Sequence, residues 1–375
     1  MKPGKRPRSL RVLMSYATPG ETSNPFTRNL SDSVGRSVDV RHLSVRQMLW
    51  GRFDLFHVHW PENIFRASGR VRNAVKTVCG VVLMLRIELL RIPVVYSQHN
   101  LKPHEKPGRL YGALYGWVQR RVRANIYLNE SSENDPPAGV TILHGDYPRP
   151  AAPRASRPMA AEKSTVLFFG LLRRYKGLET LFDAFAGTND PRLRLRVRGS
   201  ASDQAYVNEL QSLAEVDPRI TFEPGFLDDD ELERELEEAA LVVLPYVAVY
   251  NSGAAILALS RARRILAPAG PSTLSLQNEV GGDFVRLFDS PLNAHDIARA
   301  MDEQPRGTTS AVLPRRDWST IGALHVRLYM LTVANRTLPA NASAAAVRHG
   351  VAVDPLFVRH SIRNTLVVGF DDGGL

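Results

Sequence analysis

The stretch "STVLFFGLLRRYKGLETLFDAF" (164–185) places three cations at one junction. An apolar run, Val166 to Phe169, ends at Gly170. Arg173, Arg174 and Lys176 follow, and Gly177 then opens a helix-like segment. This arrangement predicts either a solvated basic turn or an anion site. Parallel sheets bind ligands beyond the carboxyl ends of their strands, and glycine lets a backbone come close to an anion. Arginine would offer an anion a bidentate fork and lysine a point charge. A second candidate is Asn251, Ser252 and Gly253 before "AAILAL", where a cap can turn free helix amides toward a ligand; an ordinary cap is the plain alternative. Gly199, ending "LRVRG", marks a third strand end of the same kind.

The first half of the chain offers acid–base groups instead. His99 and Asn100 end "IPVVYSQHN". A histidine titrating near neutrality can position or deprotonate a hydroxyl, although one satisfied by backbone groups would look the same in sequence. Glu62, after "HVHWP", is the other candidate base. His57 and His59 alternate with Val58 and share a sheet face, where one of them is expected in the core. His144–Gly145 reads as a loop at the domain junction, and Gly20 and Asn24 lie in the loop after the first strand. The acidic run "DDDELERELEE" (228–238) reads as a helix start, where carboxylates cap the chain and suit the dipole. No His-Glu-x-x-His spacing occurs, so no metal site is expected.

These groups need a scaffold, and the chain supplies an alternating one. "SLRVLMSYA", "VDVRHL", "FDLFHVHW", "IPVVYSQHN", "ANIYLNES" and "GVTILHGDY" read as strands with helical stretches between them. Continuous apolar strands alternating with helices indicate α/β architecture with a doubly wound parallel sheet. The Pro-, Ala- and Arg-rich segment 151–163 breaks the pattern, and a second alternating half begins at Val166. The expected domains are 1–150, a linker at 151–163, and 164–334, with a tail from 335 low in core residues. Two doubly wound halves predict a central cleft with a ligand bridging the lobes.

At 375 residues the chain suits two domains, and 44% hydrophobic with 23% charged residues is ordinary for a globular protein. The single Cys79 excludes a disulfide framework. No run of eighteen apolar residues exists; Thr77 to Leu85 reads as a buried helix. The net charge of +10 admits nucleic acid, an anionic membrane or a negatively charged small substrate. No zinc-finger spacing, RNP-type signature or long basic helix supports nucleic acid. The interleaved aromatics and arginines of 109–123 suit either an anionic bilayer or a helix packed on its own domain.

Taken in order, the motifs resemble a known family. "FFGLLRRYKGLETLFDAF" resembles the phosphate-contacting segment of GT-B glycosyltransferases, especially glycosyltransferase family 4, and "LPYVAVYNSGAAILALSRARRILAP" their donor-sugar segment. "HVHWPENIF", "VVYSQHN" and "ILHGDY" resemble first-domain elements of xanthan-type mannosyltransferases of polysaccharide assembly. The resemblance spans roughly residues 10–333 and implies a GT-B fold of two Rossmann-like domains. It also implies transfer of a hexose from a nucleotide-sugar donor to a glycan or lipid-linked glycan, without cofactor or metal. Arg173 and Lys176 would neutralise the donor diphosphate. Gly170, Gly199, Asn251, Ser252 and Gly253 would complete the donor site, with Gly20, Asn24 and Asn100 on the acceptor side and His99 or Glu62 as base. The family's two glutamates fall on Val249 and Leu257, which puts its usual retaining mechanism in doubt. A GT-B nucleotide-sugar epimerase and a non-catalytic, membrane-associated assembly partner stay open as alternatives. The expected location is the cytoplasm, with peripheral contact at the inner face of the cell membrane open.

Overall fold

The structure, a computed structural model, describes residues 9–20, 23–99, 108–131, 139–148, 164–247, 249–302 and 313–335. It divides into two compact units. One runs to Gly145 and resumes at Arg315; the other runs from Asp146 to Pro314. Asn100, the segment 151–163 and the chain after Asn335 lie outside the described residues.

In the first unit, β1 (Arg11–Met14), β2 (Asp39–His42), β3 (Leu55–Val58), β4 (Val94–Gln98), β5 (Val122–Tyr127) and β6 (Gly139–Thr141) form one parallel sheet, ordered β2-β1-β3-β4-β5-β6. The helices are α1 (Pro25–Val34), α2 (Val45–Trp50), α3 (Glu62–Phe65), α4 (Arg70–Leu89) and α5 (Arg109–Arg121). Strand residues alternate between two cores. Val12, Met14, Leu55 and Val95 face α1, whereas Leu13, Phe56, Val58 and Val94 face α4. Strand order reverses between β1 and β3, so the loops after those strands flank a switch point.

The second unit repeats the plan. β7 (Thr165–Phe169), α6 (Leu178–Ala186), β8 (Arg194–Gly199), α7 (Gln204–Ala214), β9 (Ile220–Pro224) and α8 (Asp229–Glu238) build one half. β10 (Leu241–Val243), α9 (Gly253–Ser260), β11 (Arg264–Pro268), α10 (Pro271–Val280), β12 (Val285–Phe288) and α11 (Ala294–Asp302) build the other. The sheet order is β12-β11-β10-β7-β8-β9, which puts its switch point between β7 and β10. Every residue of β7, β10 and β11 is buried, as expected of central strands covered on both faces.

The last helix, α12 (Trp318–Ala334), corrects the expected boundary at 334. It belongs to the first unit, where Ile321, Val326, Leu328 and Tyr329 join the core beside Phe26 and Leu30 of α1. Gly322 permits the close crossing, since a Cβ there would lie 2.9–3.0 Å from Ser33. An apolar periodicity specifies that a helix has a face to bury, and not which sheet receives it. Leu328→Ala should therefore destabilise the first unit by about 2–5 kcal/mol. Amide hydrogen exchange should rise in β1, β3 and α1; a rise confined to β7–β12 would contradict the placement.

Candidate active site

The second unit gathers its polar groups where β7, β8 and β10 end. Gly199 holds φ +151°, and a Cβ on it would fall 1.8 Å from the carbonyl oxygen of Gly170, so only glycine fits. The two strand ends are laced together by Gly170 N donating to Arg198 O (3.1 Å) and Leu172 N to Ser200 O (2.8 Å). A single 3₁₀ turn, Arg174–Lys176, leads to Gly177 in the left-handed region (φ +67°). A Cβ at 177 would lie 2.3 Å from the Pro245 carbonyl, so this glycine lets the basic turn press against the end of β10.

The three cations then separate. Arg174 pairs with Glu209 (2.6 Å) and Glu179 (3.8 Å), its guanidinium 4.5 Å from the centre of the Tyr206 ring. Among the described residues, neither Arg173 nor Lys176 has a carboxylate partner. The Lys176 Nζ sits 5.2 Å from the Tyr246 ring and 5.7 Å from that of Phe168, and a methyl on Gly170 would approach it to 3.3 Å. Burial pushes its pKa down to about 8, and the neighbouring charge of Arg173 acts the same way. The Lys176 ammonium thus faces aromatic rings with no carboxylate partner among the described residues, an environment that can receive an anion.

Across the switch point, Ser252 caps α9, its Oγ accepting from Ala255 N at 3.1 Å. Gly253 is the first residue of that helix and Asn251 precedes the cap. Val249 and Leu257 pack against the core, so apolar side chains fill both positions. Leu171, Tyr175, Phe226 and Val247, on loops at the same end of the sheet, are exposed. The acidic run is a capping box: Glu231 N donates to Asp228 Oδ1 (2.7 Å) and Asp228 N to Glu231 Oε2 (3.0 Å). Among the described residues, no group of three or more His, Cys, Asp or Glu could hold a metal ion.

In the first unit His57, His59, His144 and His325 are buried, and the half-buried His99 packs beside them. His57 is satisfied on both sides, by Tyr329 Oη (2.7 Å) and Ser97 Oγ (2.9 Å). His59 Nδ1 meets His99 Nε2 at 3.1 Å, while His59 Nε2 is buried with no partner. His99 stacks on Trp60, ring centres 4.3 Å apart. Both His57 and His59 are core residues, where one was expected. Desolvation lowers the pKa of the half-buried His99 to about 3, so in this state it is a weak base. Burial likewise lowers His144 and His325 to about 4 and keeps His57 and His59 well below their ordinary value. Glu62 opens α3 as an exposed carboxylate and acts electrostatically on Tyr96 and Tyr115. The Asn24 side chain caps α1 through Phe26 N (3.0 Å), and Gly20 is exposed. Asn100 lies outside the described residues.

Comparison with known proteins decides the class. No family model matches the chain. A GDP-mannose:glycolipid 4-β-D-mannosyltransferase of Xanthomonas campestris pv. campestris is 36% identical over 327 residues, covering 85% of this chain and 91% of that one. The chain belongs to this mannosyltransferase family. Among solved structures, Anabaena HepE in complex with UDP-glucose aligns with TM-score 0.59 and 14% identity, over 96% of this chain and all of that one. Sucrose-phosphate synthase from Thermosynechococcus elongatus aligns with TM-score 0.55 and 14% identity, over 96% and 98%. These likenesses give the fold as GT-B. The protein is thus a glycosyltransferase that moves a hexose from a nucleotide-sugar donor to a glycan or lipid-linked glycan acceptor, and the epimerase and non-catalytic readings fall away.

Sequence reading missed Tyr329 and His325, which support the histidine cluster from 272 and 268 residues beyond His57, too far for any local signal. Because desolvation penalises the charged imidazolium, the folded pKa values of these histidines lie below the unfolded value of 6.5. Stability should be full above pH 6.5 and fall as pH drops toward about 4, each histidine contributing at most about 1.4 kcal/mol per pH unit. Urea titrations should show this loss in the first unit, and His325→Gln should shallow it; an unchanged slope would remove the cluster as its source.

Proposed function

We propose that the chain transfers a mannosyl residue from GDP-mannose to a lipid-linked glycan, forming a β linkage with inversion. The substrates follow the name of the relatives at 36% identity. The observation that carries the reading is the division among the three cations: Arg174 is neutralised by Glu209 and Glu179, while Arg173 and Lys176 keep their charge for a ligand. In this reading the second unit holds the donor. Arg173 and Lys176 take the diphosphate, Gly170 and Gly199 admit it to the backbone, and Asn251, Ser252 and Gly253 bring the α9 amides to it. The exposed apolar side chains at the same strand ends suit the flat face of a nucleobase.

GDP-mannose carries its sugar in the α configuration, so a β product means one displacement. The acceptor oxygen attacks the anomeric carbon, the bond to the diphosphate oxygen breaks, and the acceptor proton passes to a base. That route needs cations on the leaving group and no carboxylate nucleophile, in keeping with Val249 and Leu257. The first unit would supply the base and meet the acceptor with the Gly20–Asn24 loop and Asn100. Glu62 suits the base better than His99, whose depressed pKa makes it a poor proton acceptor.

Two measurements test the assignment. Lys176→Ala should weaken GDP binding about tenfold to a hundredfold with the fold intact, and Arg174→Ala should leave it nearly unchanged. In the parent, GDP affinity should also decline above about pH 8 as Lys176 loses its proton. Equal GDP affinity in Lys176→Ala would make the turn an ordinary surface. Glu62→Gln should lower turnover about 10²–10⁴-fold while GDP affinity holds, and His99→Gln should do less. Turnover at the parent rate in Glu62→Gln would remove it as the base.

A further inference from the structure

Helix α4 is apolar on two opposite faces. Its inner face, Cys79, Gly80, Leu83, Met84 and Ile87, is buried against the sheet. Its outer face carries Val71, Val75, Val78, Val82, Leu85 and Leu89, alternately four and three residues apart, which aligns them in a single stripe. The stripe is open: Val71 is 78% exposed, Val78 63% and Leu89 80%. Trp50, 72% exposed, ends α2, which Arg86 ties to α4 by donating to the carbonyls of Met48 (2.6 Å) and Gly51 (2.5 Å). By contrast, the 109–123 aromatics turn inward. Leu114 and Val118 are buried, Tyr111 and Tyr115 pack on the same core, and Trp117 Nε1 donates to Glu88 (3.0 Å).

The charge around the stripe is predominantly positive. Residues 45–92 include eight Arg and Lys against three Asp and Glu. Arg46, Arg52, Arg70, Arg72 and Arg91 are exposed and have no carboxylate partner among the described residues. Glu88, the acidic residue of α4, is already engaged by Arg121 and Trp117. Contiguous apolar patches of this kind mark interaction sites. A second copy would bring two positive rims together, whereas an anionic bilayer complements both features: aliphatic side chains enter the acyl boundary while arginine and tryptophan stay at headgroup level. No helix among the described residues is long and apolar enough to cross a membrane, so contact would be lateral.

We propose that the outer face of α4, with Trp50 and the flanking arginines, docks the protein on an anionic lipid bilayer. This deepens the lipid-linked acceptor reading, on which it rests for its purpose, by naming the surface at which the acceptor is met. The test is sedimentation with phosphatidylcholine vesicles, with and without phosphatidylglycerol. The parent should bind the anionic vesicles, release them in high salt and bind the neutral ones weakly. The triple variant Val78→Gln, Leu85→Gln, Leu89→Gln should lose about tenfold or more in partitioning, with thermal unfolding and GDP affinity retained. Should that variant fail to fold, Arg70→Gln with Arg72→Gln and Arg91→Gln, all on the surface, should lose the anionic preference alone. Parent-like binding in a folded variant would overturn the proposal. So would a parent dimer, seen by light scattering, that the triple variant splits. Vesicle binding needs no substrate, so failure of the glycolipid reading would show separately, as absent transfer by a protein that still docks.

Discussion

The approach of Gly177 to the Pro245 carbonyl organises the ligand end of the second unit. β7 and β10 are paired neighbours at the switch point, so the chains leaving them part and a gap opens beyond their carboxyl ends. With a Cβ forbidden at 177, the turn comes close enough for Lys176 to lie against Tyr246 on the far side of that gap. The lysine is thereby desolvated without being neutralised, which is unfavourable for the empty protein and favours any ligand that brings negative charge. Gly199 does the corresponding work on the other flank, letting the ends of β7 and β8 meet backbone to backbone.

The doubly wound character of both halves was legible because buried parallel strands read as unbroken apolar runs, "TVLFF" and "RILAP" among them. The basic turn was legible as a place, for the same reason: a strand end, two glycines and a cation cluster are all local. The resemblance already set Arg173 and Lys176 apart from Arg174; what sequence could not name was the partner of Arg174. Arg174 is taken by Glu209, 35 residues away on α7, and only the fold brings that carboxylate to it. The ownership of α12 was hidden too, since Ile321, Leu328 and Tyr329 describe a helix with a buried side and leave its host open.

In the first unit, desolvation sets the chemistry of the same residue type that sequence reading marked as reactive. A histidine at a strand end is reactive when water reaches it. His57, His59, His99, His144 and His325, packed among aromatic rings and each other, are held neutral by burial. The Tyr329 hydroxyl and Ser97 complete the hydrogen bonding of His57 at the centre of the sheet. Glu62, by contrast, keeps its carboxylate exposed to solvent.

The return of α12 to the first unit has a consequence for biosynthesis. The residues that begin the first sheet leave the ribosome early, yet the helix that covers one face of that sheet is made after the whole second unit. During translation the second unit can close its core first, although it is encoded later. The amino-terminal sheet meanwhile waits with the α1 face and the His57 ring uncovered. The nascent chain thus exposes this apolar surface for the time needed to synthesise nearly two hundred further residues, roughly ten to forty seconds at ordinary elongation rates. Chaperone demand should accordingly fall on the amino-terminal half of the chain and end with the arrival of Tyr329.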